Sequence, residues 1–469
     1  MYDVIVVGAR LTGAATAMLL ARVGHRVLLL DRADLSGDRT RSAATNLIHP
    51  PGVRLLRDWG VLDQVLAGGC PAITRYGLWN GPVGFAAEIP PSGDIGHAYS
   101  PPRTRLDAVL LAAAVRAGAE LRDQASVTGL RHDSTGRVDG VTGRMPSGVS
   151  FTETCTVVVG ADGSNSRVAA AAGAAEHDRR GVLSKSLWAY WEGLPQDEVA
   201  RTFRRHRRHC FTWPTHDGLS IVGVAWPVGS FTARRGTEAD TAVREAFDDA
   251  ASGYAPLLRS ARRSGEWMLG SVPNFHRDLQ GPGWALAGDA GYTRDPITAA
   301  GITEGLRGAE VLALCLKAAF HGDLSLTAAL HRYERVRAAE TAAHYAYTCD
   351  YAEINDFTRR ERQFLDALSR SDKHARGLVG VFARTVPAEQ YYSRRSLHPL
   401  FAGLPADGPL DIASPALRWL LRRPEGGRWQ RLADRLIAAQ LRSMGALLLR
   451  DGADGPKPFT PINATEGQR

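Results

Sequence analysis

The chain has 469 residues, a hydrophobic share of 44% and a net charge of +8, enough apolar material for two or three domains with sizeable cores. It holds no run of about 18 apolar residues and Met1 leads directly into a strand pattern, so neither a transmembrane helix nor a signal peptide is expected, and the protein is read as cytoplasmic. Five cysteines without a CxxC pair give no disulfide frame and no metal site, and arginines dispersed among alanines and leucines do not form a nucleic-acid footprint.

The first elements are the clearest. Residues 2–7 (YDVIVV) read as a β-branched strand, Gly8 to Gly13 as a turn, and Ala14 to Val23 as an alanine-rich helix ended by Gly24. A second strand, Arg26 to Leu30, ends at Asp31 and Arg32. The acidic residue falls about twenty positions after the first glycine, the spacing of a dinucleotide-binding βαβ unit. Gly8 permits the tight turn, Gly13 lets helix and strand pack closely, and the helix N-terminus can face a pyrophosphate. Arg10 stands where such a turn usually has its middle glycine.

A polar loop with Arg39, Arg41, Thr45 and Asn46, followed by His49, leads into a helical pattern over 52–66. The stretch 71–100, rich in glycine, proline and aromatics, reads as strands and turns. Arg103 precedes a helix from Leu106 to Ala117, and Thr156 to Val159 form an apolar strand that runs into Gly160, Ala161, Asp162 and Gly163.

Residues 181–280 alternate aromatic and polar positions, as expected of an antiparallel sheet facing substrate, interrupted by one helix over 241–251. Trp188, Tyr190, Trp191, Phe211 and Trp213 are its candidate pocket residues. The basic cluster Arg204, Arg205, His206, Arg207 and Arg208 is either a solvated face or a receiver for an acidic substrate or carrier protein.

Ala285 to Ala287 form a short strand, Gly288 and Asp289 break it, Asp295-Pro296 turns the backbone, and Gly301 opens a helix. Such a turn places a carboxylate beside a helix N-terminus, which favours an anionic ligand. From there the chain is helical nearly to its end, with a proline-rich interruption over 399–415 and an amphipathic helix over 429–450. Residues 451–469 are expected to be disordered.

Three turns thus stand in order: GARLTG at 8–13, GADGSNSRV at 160–168 and GDAGYTRDPITAAG at 288–301. Together they resemble the single-component FAD-dependent monooxygenases of the para-hydroxybenzoate hydroxylase type, in their natural-product tailoring branch, over roughly residues 1 to 350. The resemblance implies an α/β fold. A Rossmann-like FAD-binding domain would span 1–75, 101–180 and 281–350, with an inserted antiparallel β-sheet substrate domain over 76–100 and 181–280 and a helical C-terminal region over 351–450.

It further implies that Gly8, Arg10 and Gly13 hold the FAD pyrophosphate and Asp31 the adenosine ribose, with Arg32, Arg41 and Arg103 also at the cofactor. Asp162 and Gly163 would serve FAD and a passing nicotinamide cofactor. Gly288 and Asp289 would hold the ribityl chain or pyrophosphate, Pro296 would lie beside the isoalloxazine, and Gly301 and Ile302 would face its N1 and O2 side. The catalytic candidates are Tyr292, which could touch substrate from the flavin loop or serve packing alone, and His49, the candidate general base.

The implied reaction is hydroxylation or epoxidation of an apolar, aromatic or polyketide-like small molecule, free or carrier-bound, through a flavin hydroperoxide with NAD(P)H as reductant. The alternative is an FAD-containing relative that cyclises or reduces without oxygen transfer. A flavin halogenase would call for a lysine near the flavin and a WxWxIP segment. The first lysine here is Lys185, and that segment is missing.

Overall fold

The computed structural model describes residues 1–35 and 46–392. Arg39, Arg41, Thr45, the amphipathic segment 429–450 and the tail 451–469 lie outside the described residues.

Five parallel strands form the heart of an eight-stranded sheet, in the order Trp284–Leu286, Ser150–Gly160, Tyr2–Val7, Val27–Leu30 and Glu120–Arg122. The central strand is apolar on both faces because both are covered. Val4 and Val6 pack toward the helices Leu11–Ala21, Arg103–Arg116 and Gly301–Phe320, while Ile5 and Val7 join Leu28, Leu30 and Val158 on the other side. That second face is closed by the meander Ser126–His132 and Val138–Arg144, which continues antiparallel into Ser150–Gly160.

The second sheet has seven strands, ordered Arg262–Gly270, Ser184–Glu192, Ser220–Pro227, Arg208–Pro214, Val199–Arg205, Arg75–Asn80 and Val83–Glu88. Side-chain alternation splits its aromatic content between two cores. Leu187, Ala189 and Trp191 meet the helix Gly236–Ala250 on one face; Trp188, Phe211, Trp213 and Ile221 face the other, toward the C-terminal helices Arg359–Ser369 and Asp372–Phe382.

Several elements differ from the sequence reading. The helical pattern over 52–66 divides into Pro50–Asp58 and Leu62–Leu66, because Gly60 between them adopts a positive φ of 66° that a helix cannot carry. The region 181–280 holds a second, short helix, Ala255–Ser260. The second sheet contains one parallel pair, Val199–Arg205 with Arg75–Asn80, where the chain re-enters after a long excursion through the first sheet. Among the described residues no helix is long and apolar enough to cross a membrane.

Candidate functional site

A groove of about 560 Å³ runs along the carboxyl ends of the parallel strands, where open α/β sheets bind ligands. Its first wall is the turn between Tyr2–Val7 and Leu11–Ala21. Gly8 has a φ of 102°, and a Cβ there would meet the carbonyl oxygen of Ala161 at 2.4 Å; a Cβ on Gly13 would stand 1.7 Å from the Gly8 carbonyl oxygen. The backbone is thus packed too closely for any side chain, and the helix N-terminus opens into the groove. Arg10, exposed, lines the same stretch.

Asp31 and Arg32 line one end of the groove with Ser126, Val127 and Arg167. The Asp31 carboxylate is also a structural clamp, accepting the Ala9 and Ala33 N–H groups at 2.8 Å each. Asp162 lines the groove too, yet its carboxylate is occupied locally: it accepts the Ser166 hydroxyl at 2.5 Å and the Arg167 N–H at 2.7 Å, capping the short helix Arg167–Ala171. Gly163 lies beside it.

Arg103 begins its helix and reaches the middle of the groove. Its Nη2 donates to Asp107 at 3.0 Å, while its buried Nε has no hydrogen-bond partner. Asp289 faces the groove across from it. Its carboxylate is open to the groove, yet desolvation by the protein mass around it raises its pKa above the ordinary value against the pull of Arg294 and Arg103. Gly288, with a φ of 61°, sets the turn that aims it.

The far end of the groove is formed by Pro296, Ala299, Gly301 and Ile302. Ala299 takes a left-handed conformation, φ 50°, costly for a residue with a Cβ. The turn is held from both sides. Asp295 accepts the Ser184 N–H at 3.0 Å, the Ser184 hydroxyl at 2.8 Å and the Ile297 N–H at 3.1 Å, while its own N–H donates to Asn274 at 2.6 Å. Burial pushes the Asp295 carboxyl up to about 6 despite these donors.

An apolar cavity opens on the other side of that turn. Asp295, Pro296 and Ala299 line both spaces. Leu47, Leu78, Phe85, Phe211, Trp213, Leu378 and Phe382 make its walls, with His49, Tyr76, Thr202 and His209 as polar interruptions. The Thr298 carbonyl, 3.1 Å from His49 Nε2, can only accept, so Nε2 carries the proton. Nδ1 therefore accepts the Tyr76 hydroxyl at 2.7 Å. Burial lowers the His49 pKa to about 4 and that of His209 to about 3, so both rings are neutral at pH 7.

Of the five aromatic candidates, Phe211 and Trp213 line this cavity, stacked at 5.2 Å. Trp188 and Tyr190 lie on the same sheet face, where the Tyr190 hydroxyl accepts from Asn46 at 2.5 Å, and Trp191 is buried on the opposite face beneath Arg244. Tyr292 is buried in a second cavity of about 430 Å³, stacked on His276 at 4.7 Å. The basic run 204–208 is largely engaged: Arg204 donates to the Asn355 carbonyl at 2.9 Å and Arg208 pairs with Asp249.

Sequence reasoning did not find Tyr76, Asp295 as a clamp, Ser184 or Arg294. The sequence marks Asp295 only as part of a turn, and Tyr76 reaches His49 only through tertiary packing.

The groove fits a dinucleotide with an isoalloxazine. Close-packed glycines leave backbone N–H groups for a pyrophosphate, Arg103 keeps a buried donor free, and Asp289 offers a carboxylate for hydroxyls. A menaquinone reductase from Mycolicibacterium smegmatis is 28% identical over 319 residues, 65% of this chain and 73% of that protein. Aklavinone 12-hydroxylase from Streptomyces peucetius subsp. caesius is 31% identical over 213 residues, 40% of this chain and 41% of that protein. The solved structure of the OxyS anhydrotetracycline hydroxylase from Streptomyces rimosus superposes with a TM-score of 0.61 at 23% identity, covering 82% of this chain and 76% of that one. The family described as FAD binding domain matches residues 1–346, and with the groove so built the chain belongs to that family as an FAD-dependent oxidoreductase.

Proposed function

We propose that the protein is an NAD(P)H-dependent monooxygenase that hydroxylates or epoxidises a compact, uncharged aromatic or polyketide-like metabolite. The observation that carries this reading is the apolar cavity separated from the cofactor groove by one turn, Asp295 to Ala299. A substrate in that cavity and a flavin in the groove would share Pro296 as their common wall. The names of the aklavinone and anhydrotetracycline hydroxylases support the substrate class.

Bound FAD, once reduced, supplies the activation of dioxygen. The chain's residues do the rest. The apolar walls exclude water, which protects a reactive oxygen donor from hydrolysis. The Tyr76 hydroxyl donates its hydrogen bond to His49, which leaves the oxygen's lone pairs free to accept a hydrogen bond from a substrate hydroxyl and so fix which ring carbon faces the flavin. His49, held near 4, orients Tyr76 rather than acting as a base at pH 7. No described arginine or lysine lines the cavity, which favours a neutral substrate over a carboxylate.

The match to a menaquinone reductase over most of that protein favours a second reading, reduction of an apolar quinone or alkene without oxygen transfer. Stoichiometry separates the two. The proposal expects one NAD(P)H and one O2 consumed for each product molecule; full turnover under anaerobic conditions would replace it with the reductase reading.

A further inference from the structure

His209 stands on the strand Arg208–Pro214 and lines the apolar cavity, 1% exposed. Its side chain makes no hydrogen bond among the described residues, and its Nδ1 is fully enclosed without a partner. His49, the other imidazole of the cavity, is satisfied at both nitrogens, by Tyr76 and by Thr298. A buried polar group left unpaired costs free energy that a partner would recover, so the two rings differ in what they still require. The groups that touch His209 are aromatic: Tyr351 meets it edge-on at 5.4 Å between ring centres, and Phe211 lies at 6.1 Å.

The sheet register separates this ring from the first polar pair. Ala200 pairs with Tyr76 and Arg204 with His209, so His209 lies two strands across and four residues along from Tyr76, roughly 16 Å between Cα atoms at ordinary strand spacings. Both side chains line the cavity from one face of the sheet, with Thr202 and Phe211 between them. The space thus has two polar poles joined by an apolar floor. Burial first, and then the Arg204 charge on the adjacent strand, hold the His209 pKa at about 3, so the ring is neutral and carries one N–H and one lone pair. The positive potential of Arg204 beside the ring favours an electron-rich oxygen at that N–H.

We propose that His209 is the second anchor of the substrate, donating a hydrogen bond to a carbonyl oxygen at one end of a neutral aromatic molecule whose hydroxyl, at the other end, meets Tyr76. The inference rests on the reading of the cavity as the substrate site. It narrows the substrate class to hydroxyaryl carbonyl compounds with about 10 Å between the two oxygens, the Cα separation less two hydrogen bonds. A site built to hydrogen-bond an oxygen rejects the analogue that lacks it, because its own buried polar group is then left unpaired. His209 is in this sense a specificity residue, and with Tyr76 it fixes the orientation of the molecule along the cavity.

The test is calorimetric binding to the FAD-loaded protein, without NAD(P)H, of three rods of one shape: 4-acetyl-4′-hydroxybiphenyl, 4-ethyl-4′-hydroxybiphenyl, which lacks the carbonyl, and 4-acetylbiphenyl, which lacks the hydroxyl. The parent is expected to bind the first about tenfold more tightly than the second. In His209→Phe that preference should vanish while the ethyl compound binds at least as tightly as to the parent. His209→Gln, which restores a donor, should recover most of the preference. Tyr76→Phe should instead remove the preference for the first compound over 4-acetylbiphenyl. A His209→Phe protein that loses all three probes alike, or keeps the preference for the carbonyl, would overturn the proposal, as would a glutamine variant no better than phenylalanine. A parent that binds none of the three would remove the cavity as a substrate site, and the proposal with it.

Discussion

Tyr76 and His49 bring a hydrogen-bonded pair into an otherwise oily cavity. If the Tyr76 hydroxyl orients substrate, Tyr76→Phe lowers kcat/KM by about 10- to 100-fold, the value of one to two buried hydrogen bonds, with the flavin absorbance unchanged; steady-state kinetics beside a visible spectrum checks both. Its neighbour makes a separate prediction about pH. The His49 pKa, about 4, lies below the ordinary 6.5. As pH falls below 6.5 the unfolded chain takes up a proton that the folded chain refuses, so stability drops until about pH 4 and is unaffected above 6.5. At pH 5 the loss from this one ring is about 2 kcal/mol. His49→Gln should shrink the difference in unfolding free energy between pH 7.5 and pH 5 by that amount, measured by denaturant titration. Of this pair, the sequence reading offered His49 alone, from its place after a polar loop. Tyr76 sits on a sheet strand and Thr298 in the cofactor turn, so their meeting is a product of tertiary packing with no local signature.

The turn Asp289 to Ala299 and the helix that follows it are fixed by charged groups that reach across elements. Asp295 ties the turn to the strand Ser184–Glu192, so Asp295→Ala should release Ile297 and Ser184 together and weaken FAD binding at least tenfold, read by fluorescence titration, while a tight-binding variant would show that the turn holds its shape unaided. Glu304 fastens the same helix to Arg337 in Leu326–Ala352 and to Arg384 beyond Asp372–Phe382. Burial alone would raise this carboxyl, but Arg384 and Arg337 hold it well below the carboxylate range. Glu304→Gln leaves the buried Arg384 without a carboxylate and Arg337 with Glu340 alone, and is expected to cost about 3 kcal/mol of stability. Chemical denaturation that shows a loss under about 1 kcal/mol would contradict that role. At this scale the sequence was legible where the signal is local. The glycine turn, the strand Tyr2–Val7 and the helix start at Gly301 follow from spacing and backbone chemistry. The break at Gly60 and the parallel entry of Val199–Arg205 beside Arg75–Asn80 were not legible, since the first depends on a single dihedral and the second on the path of a distant segment.

For the molecule as a whole, three ordered turns more than a hundred residues apart carried the resemblance, and the fold brings them to one groove. What they could not reveal is the second space behind that groove, because its walls come from the second sheet, from the turn Asp295 to Ala299 and from the helix Asp372–Phe382, each apolar for ordinary packing reasons. Asp289 offers the broadest check on the groove: Asp289→Ala should yield folded but colourless protein, by circular dichroism and visible absorbance, and retained stoichiometric FAD would remove its assignment. The central claim, that the cavity beside Pro296 receives a substrate to which oxygen is transferred, is tested most directly by isotope labelling. Under 18O2 with NAD(P)H and an accepted aromatic substrate, mass spectrometry should show one 18O atom in the product; a product free of 18O would contradict the account.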